Sequence, residues 1–294
     1  MTSVAVIGTG RMGSAMARAL ARGGVSLVLH NRTSPTARAL AKELGARVTA
    51  TPAEASASSE IAITMLADAD AVRATWDGPE GLVAGARSGV VLVDMSTVPP
   101  DTLAPFAALL HERGVGIVDA PVSGSVALAE AGQLTVMAAG SAEDVERARP
   151  ALDLVAKQVT HVGPLGSAAA LKLAVNTLIF AINNGVSEAL VLAERAGVDR
   201  ALAYEVFSTS ATGAPYLGYK RAAFVQPQTT PVAFSLELAA KDLRLIIDLA
   251  DRLGVPMPQA RANQDLIGDA SAELGADRDF SAVATYLRQL ASEG

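Results

Sequence analysis

The chain reads as an α/β protein: a doubly wound, largely parallel sheet comes first, and an all-helical part built on one long central helix follows. Three observations predict this. Short β-rich runs alternate with Ala-rich amphipathic stretches, the pattern that lays parallel strands side by side with helices on both faces. The alternation stops near Gly163, and helix-forming sequence follows to the end. The first apolar run also passes straight into a glycine cluster, Gly8 to Gly13, that opens a helix. The domain boundary is therefore placed at Gly163–Gly166, separating residues 1–163 from 164–294.

The strands read from the first half are Val4–Ile7, Ser26–Leu29, Glu60–Met65, Gly89–Met95, Gly116–Val118, Leu134–Ala138 and Val159–Val162. Amphipathic segments between them include Ser14–Arg22, Thr36–Leu44 and Asp101–Arg113. The long apolar helix spans about Ser167 to Ala196 and ends at Gly197. Further helices are expected at Arg200–Ser208, Ser235–Leu253, Pro258–Glu273 and Phe280–Ser292. A helix that is apolar all round must be covered on every side, so the long helix is expected to form a homodimer or a dimer-based oligomer. Wrapping by its own domain's other helices is the competing arrangement.

Composition sets limits on function. Hydrophobic residues make up 50% of the 294 and charged residues 18%, which suits a compact protein and excludes disorder. The net charge of -6 and the lack of a dense basic run argue against nucleic acid and against anionic membranes. Asn176, Asn183, Asn184 and Glu188 interrupt the most apolar segment and make it poor material for a bilayer span. With no cysteine, disulfides and thiolate metal sites are excluded, and the expected location is the cytoplasm, no export signal being recognisable. The three histidines, His30, His111 and His161, stand at no metal-ligand spacing, so no metal is expected. Asp68 and Asp70 read as helix caps rather than cation ligands.

Gly8-Thr9-Gly10-Arg11-Met12-Gly13 follows a strand and opens a helix, the setting that makes this glycine pattern a dinucleotide fingerprint and the first domain a Rossmann domain. Gly8 allows the tight turn, Gly10 lets a pyrophosphate approach the backbone, and Gly13 lets helix and strand pack closely. At the end of the second strand, Asn31-Arg32-Thr33 stands where NAD sites usually carry an acid. The Arg32 guanidinium suits a 2′-phosphate, so NADP(H) is the expected cofactor.

Ser123 and the amides around Gly124, at the carboxyl end of a strand, suit a substrate carboxylate, although the same residues also read as an ordinary turn. Lys172 and Asn176 are four residues apart and share a helix face among apolar neighbours. Such a lysine can give a proton to an oxygen as hydride reaches its carbon, with the asparagine holding substrate and lysine in register. A snorkelling lysine is the alternative reading. On spacing alone, Lys241-Asp242 reads as a solvated ion pair.

Together with Asp94-Met95-Ser96-Thr97, Asp119-Ala120-Pro121-Val122-Ser123-Gly124 and Gly132-Gln133-Leu134-Thr135-Val136-Met137, these pieces, in this order, resemble the β-hydroxyacid dehydrogenase family over nearly the whole chain. That family includes 3-hydroxyisobutyrate dehydrogenases, tartronate semialdehyde reductases and glyoxylate/succinic semialdehyde reductases. The resemblance implies a 6-phosphogluconate dehydrogenase-like C-terminal domain, Lys172 as proton donor and acceptor, and Asn176, Ser123 and Gly124 on the substrate. It also implies that Thr97 and Lys241 contact the cofactor. Ser125 stands where the family usually has glycine, Ala168 where a second glycine commonly precedes the lysine, and Ala214 where asparagine is expected. The expected activity is NADPH-dependent, reversible reduction of a small carboxylate-bearing aldehyde to the hydroxy acid. The competing readings are an imine reductase, which resembles this family with the lysine replaced, and a non-catalytic NADP(H)-binding protein.

Overall fold

The computed structural model describes residues 2–293, and its contacts divide the chain into two compact units between Lys172 and Leu173. In the first unit the strands are β1 (Ser3–Ile7), β2 (Ser26–His30), β3 (Arg47–Val48), β4 (Ile61–Thr64) and β5 (Val91–Asp94). They continue with β6 (Gly116–Asp119), β7 (Val122–Ser123), β8 (Leu134–Ala139) and β9 (Ala156–Gly163). They form one sheet in the order β3-β2-β1-β4-β5-β6-β8-β7, with β9 also paired to β8. From β3 to β6 every pairing is parallel; β8 runs antiparallel to β6 and β7.

Side-chain alternation along these strands feeds two apolar layers. Val4 and Val6 of β1 pack on one face with Met16 and Leu20 of the helix Arg11–Arg22 and with Leu152 of the helix Ala142–Val155. Ala5 and Ile7 pack on the other face with Trp76, Leu82 and Leu110. Because β1 sits between β2 and β4, the crossovers leave it in opposite directions, and a crevice opens at its carboxyl end.

The second unit is helical: the remainder of the long helix Ser167–Arg195 is followed by Arg200–Thr209, Pro215–Val225, Leu236–Leu253, Pro258–Leu274 and Val283–Glu293. Its core gathers Phe180, Tyr204, Phe224, Leu243, Ile267 and Phe280. The long helix is buried along only part of its circumference, and Leu178 and Leu192 are 65% and 74% exposed.

The residues that expectation missed are short or irregular. β3 and β7 have two residues each, too few to show an alternation. The helix Ala142–Val155 carries Pro150 inside it, while Pro52–Ala57, Leu82–Gly85 and Val126–Glu130 are only one or two turns long. The helix Pro215–Val225 also lay outside the expected set. The division of the chain lies inside the long helix, because its first turns are hydrogen-bonded to β6 through Asp119.

Candidate active site

In the first unit the sequence-selected residues fall on the carboxyl edge of the parallel strands. Gly8 has φ +99°, and a Cβ there would stand 2.3 Å from the Met65 carbonyl oxygen, so only glycine makes this turn. A Cβ on Gly13 would lie 2.0 Å from the Gly8 carbonyl oxygen, which is how closely helix and loop approach. Gly10 is exposed, and a Cβ there would meet nothing within 4 Å. It opens the helix Arg11–Arg22 without a side-chain cap and without an acid in the first turn, with Arg11 and Met12 as its first residues. Beside it the buried Thr9 hydroxyl has no hydrogen-bond partner. An open glycine at a helix start and an orphaned hydroxyl fit the pyrophosphate and ribose of a dinucleotide.

Asn31 ties the two halves of this edge together. Its Oδ1 accepts from the Thr9 amide at 3.1 Å and its Nδ2 donates to the Thr33 carbonyl at 3.2 Å, while Arg32 and Thr33 are exposed. Thr97 sits just beyond a buried polar network that sequence reasoning did not resolve. Trp76 Nε1 donates to Thr64 Oγ1 (3.3 Å), which donates to Asp94 Oδ1 (2.6 Å). Ser96 Oγ also donates to Asp94 Oδ1 (2.7 Å) and accepts from the Leu66 amide (2.9 Å). Burial pushes the Asp94 carboxyl up to about 6, against the two hydroxyls that favour its charge. The network joins the loops after β4 and β5, and the β4 loop supplies the Met65 carbonyl that closes on Gly8.

Ser123 ends β7 and pairs with Thr135 of β8. Gly124 follows at φ +146°, where a Cβ would press on Leu134 at 2.7 Å. Ser125 Oγ accepts from the Leu128 amide (3.3 Å) and caps the helix Val126–Glu130, so this departure from the family pattern serves the backbone. Ala168, the other departure, is fully buried.

Lys172 is half-buried, near the start of the long helix. Asn176 lies one turn on in the same helix and is 6% exposed. Within the second unit Asn176 Nδ2 donates to Asp242 Oδ2 at 2.8 Å, and Lys241 Nζ lies 3.0 Å from Asp242 Oδ1. Asp242 is 2% exposed, so the expectation of a solvated pair is corrected: this acid is buried and fixes the Asn176 amide from a neighbouring helix. No local pattern signals a contact across 66 residues. Asp68 caps the helix Ala69–Trp76 by accepting from the Ala71 amide, whereas Asp70 is a first-turn acid that pairs with Arg73.

The NAD binding domain of 6-phosphogluconate dehydrogenase matches residues 3–163, and the NAD-binding domain of NADP-dependent 3-hydroxyisobutyrate dehydrogenase matches residues 166–287. The chain is 33% identical to glyoxylate/succinic semialdehyde reductase 2 of Arabidopsis thaliana, over 97% of this chain and 79% of that protein. It is 33% identical to the 3-sulfolactaldehyde reductase of Escherichia coli, over 98% and 96%. Among solved structures, 3-hydroxyisobutyrate dehydrogenase of Mycobacterium tuberculosis superposes with a TM-score of 0.83 at 30% identity, covering 98% of this chain and 99% of that one. With the fold, the glycine loop and this similarity over nearly the full length, the chain belongs to the β-hydroxyacid dehydrogenase family of nicotinamide-dinucleotide-dependent oxidoreductases.

Proposed function

We propose that the protein reduces the aldehyde of a small, carboxylate-bearing substrate to the hydroxy acid, reversibly, using NADP(H). The observation that carries this reading is the placement of Lys172 and Asn176 one turn apart on a continuous helix, with the Asn176 amide held by the buried Asp242. The relatives' names support it, since glyoxylate, succinic semialdehyde and 3-sulfolactaldehyde are all small aldehydes carrying an acid group.

Gly8, Thr9, Gly10, Arg11, Met12 and Gly13 would hold the pyrophosphate side of the dinucleotide, Thr97 and Lys241 its nicotinamide side, and Asn31, Arg32 and Thr33 its adenosine ribose. When bound there, the nicotinamide would supply the hydride for the aldehyde carbon and accept it in the reverse direction. Lys172 as an ammonium gives its proton to the carbonyl oxygen while that oxygen gains negative charge, and as an amine removes it from the hydroxyl in reverse. Asn176 keeps that oxygen within reach of Lys172. Ser123 and the Gly124 amide bind the carboxylate and so orient the aldehyde. Arg32 favours the 2′-phosphate of NADP(H), with no carboxylate at 31–33 to repel it.

Initial rates with NADPH and NADH against glyoxylate, succinic semialdehyde, methylmalonate semialdehyde, tartronate semialdehyde, 3-sulfolactaldehyde and a cyclic imine test the reading. A semialdehyde turned over with NADPH preferred supports it, and Lys172→Ala should then lose roughly 100- to 10,000-fold in kcat while keeping NADPH affinity. Turnover of the imine alone would make the protein an imine reductase. Cofactor binding without turnover of any aldehyde would make it a binding protein.

We also propose that two copies associate through the long helix. Leu171, Leu178 and Leu192 are exposed at intervals of seven or fourteen residues and lie on one side of it, with exposed Gly185 at the intervening position. Sedimentation should give a dimer or a multiple of it, and Leu178→Glu with Leu192→Glu should shift it toward monomer.

A further inference from the structure

We propose that Asp119 is a positioning residue for Lys172: reaching from the end of β6, its carboxylate supplies the N-terminal cap of the lysine-bearing helix and fixes where Lys172 stands on the sheet edge. The inference rests on the reading of Lys172 as the group that moves the proton.

An α-helix begins with backbone N–H groups that have no partner inside it, and the preceding residue's side chain usually satisfies one of them. Here the residue before the helix is Gly166, at φ +92°, and a Cβ on it would stand 2.7 Å from the Pro100 carbonyl oxygen. The position thus admits no capping side chain of its own. Asp119 takes over both halves of a capping box from another element. One carboxylate oxygen accepts from the Gly166 amide at 3.0 Å and the other from the Ala169 amide at 2.9 Å. The carboxylate is 4% exposed, and burial raises its pKa while the backbone amides of this turn work against that rise. Its charge faces the positive end of the helix dipole.

Asp119 is itself fixed at the sheet edge. It ends β6, in register with Asp94 of β5 and Ala139 of β8, four residues before Ser123. Lys172 follows Ala169 by three residues, about 4.5 Å along the helix axis at the usual rise. One side chain therefore sets the distance between the strand end that leads to Ser123 and the helix turn that carries Lys172. A misplacement of about 1 Å between reacting groups can cost on the order of 100-fold in rate.

The test is Asp119→Asn, which keeps the volume but replaces one accepting oxygen by an NH2 facing an amide N–H. Ser141→Ala is the control for cap loss alone. Ser141 Oγ accepts from the Asp144 amide at 3.0 Å and caps the helix Ala142–Val155, beyond the end of β8, which runs antiparallel to β6. Asp119→Asn should lower kcat roughly 10- to 100-fold, with the substrate KM and NADPH affinity nearly unchanged, whereas Ser141→Ala should lower Tm and leave kcat as it was. If Asp119→Asn lowers Tm and spares kcat, like Ser141→Ala, the cap is structural only and the proposal is overturned. If Lys172→Ala keeps its kcat, the reading of Lys172 fails, and the proposal fails with it. Should Asp119→Asn not fold, amide exchange in the wild-type protein decides. Protection at Gly166 and Ala169 equal to that in the middle of the helix supports the cap, and exchange at the rate of an exposed loop overturns it.

Discussion

The two units hold their inward-facing acids differently. In the sheet unit, Asp94 is held by the hydroxyls of Thr64 and Ser96, and Asp119 by backbone amides of the long helix. In the helical unit, Glu194 is gripped by Arg200 and Arg288, Asp279 by Lys220, and Asp242 by Lys241 together with Asn176. What separates them is the charge of the partner: the sheet acids are held by uncharged hydroxyls and amides, whereas each helical one has at least one cation, Asp279 using backbone amides as well. Burial accordingly raises both sheet acids, while Glu194 and Asp279 are lowered by their cations and hydrogen bonds in spite of burial.

The sharpest way to break this contrast is to remove a cation from the helical unit. Lys220 is 4% exposed, with its Nζ 2.7 and 2.8 Å from the two oxygens of Asp279 and 4.6 Å from the Phe280 ring centroid. Asp279 also accepts from the amides of Ala233, Phe234 and Ser281, and so anchors the start of the helix that carries Lys241 and Asp242. Lys220→Met strands a buried carboxylate and should cost about 3–5 kcal/mol in denaturant unfolding, with part of the loss recovered by adding Asp279→Asn. A single-variant cost below about 1 kcal/mol would mean that the amides alone hold this acid, as they hold Asp119.

The same contrast explains what was legible in the sequence. The glycine loop was readable because strand, turn and helix are contiguous and each glycine has a local task. Lys172 and Asn176 were readable because helical periodicity alone puts them on one face. The Lys220–Asp279 pair spans 59 residues and the Asn176–Asp242 contact 66, and no local spacing rule reaches so far. Asp119 stood in a recognised motif without a role. The signal that could have assigned one was a glycine at a helix start that lacked its own cap. Asp94 likewise stood in a recognised motif, and its enclosure by Thr64 from another strand, 30 residues away, follows no local spacing.

A second prediction concerns the sheet unit. With its carboxyl pushed from 3.8 up to about 6, Asp94 contributes stability that is complete below pH 3.8 and is lost as pH rises through 6. At about 1.4 kcal/mol for each pH unit between those two values, the loss comes to roughly 3 kcal/mol by neutral pH. Asp94→Asn keeps an oxygen for the Thr64 and Ser96 hydroxyls and removes the titration. Its stability relative to wild type should therefore rise between pH 4.5 and 7, by about 2 kcal/mol, in unfolding curves taken across that range. A constant difference between the two proteins would show that Asp94 titrates as an ordinary acid.

The smallest effect belongs to Glu194, where the sign reverses. Arg288 and Arg200 each donate two hydrogen bonds to its carboxylate, at 2.6 to 3.0 Å, and together they overcome the burial that would raise it, holding it down to about 2. Its stabilisation is therefore present above the ordinary glutamate value of 4.5 and is lost as pH falls toward 2. The side chain is one-fifth exposed, so water and salt screen the pair, and Glu194→Gln should cost only about 1 kcal/mol at neutral pH. The cost should shrink in 1 M salt and vanish near pH 2, in Tm measurements on both proteins, opposite in direction to the Asp94 variant. If the two variants instead shifted the same way with pH, the division between acids held by uncharged groups and acids held by cations would be wrong, because the partner's charge is what distinguishes their signs.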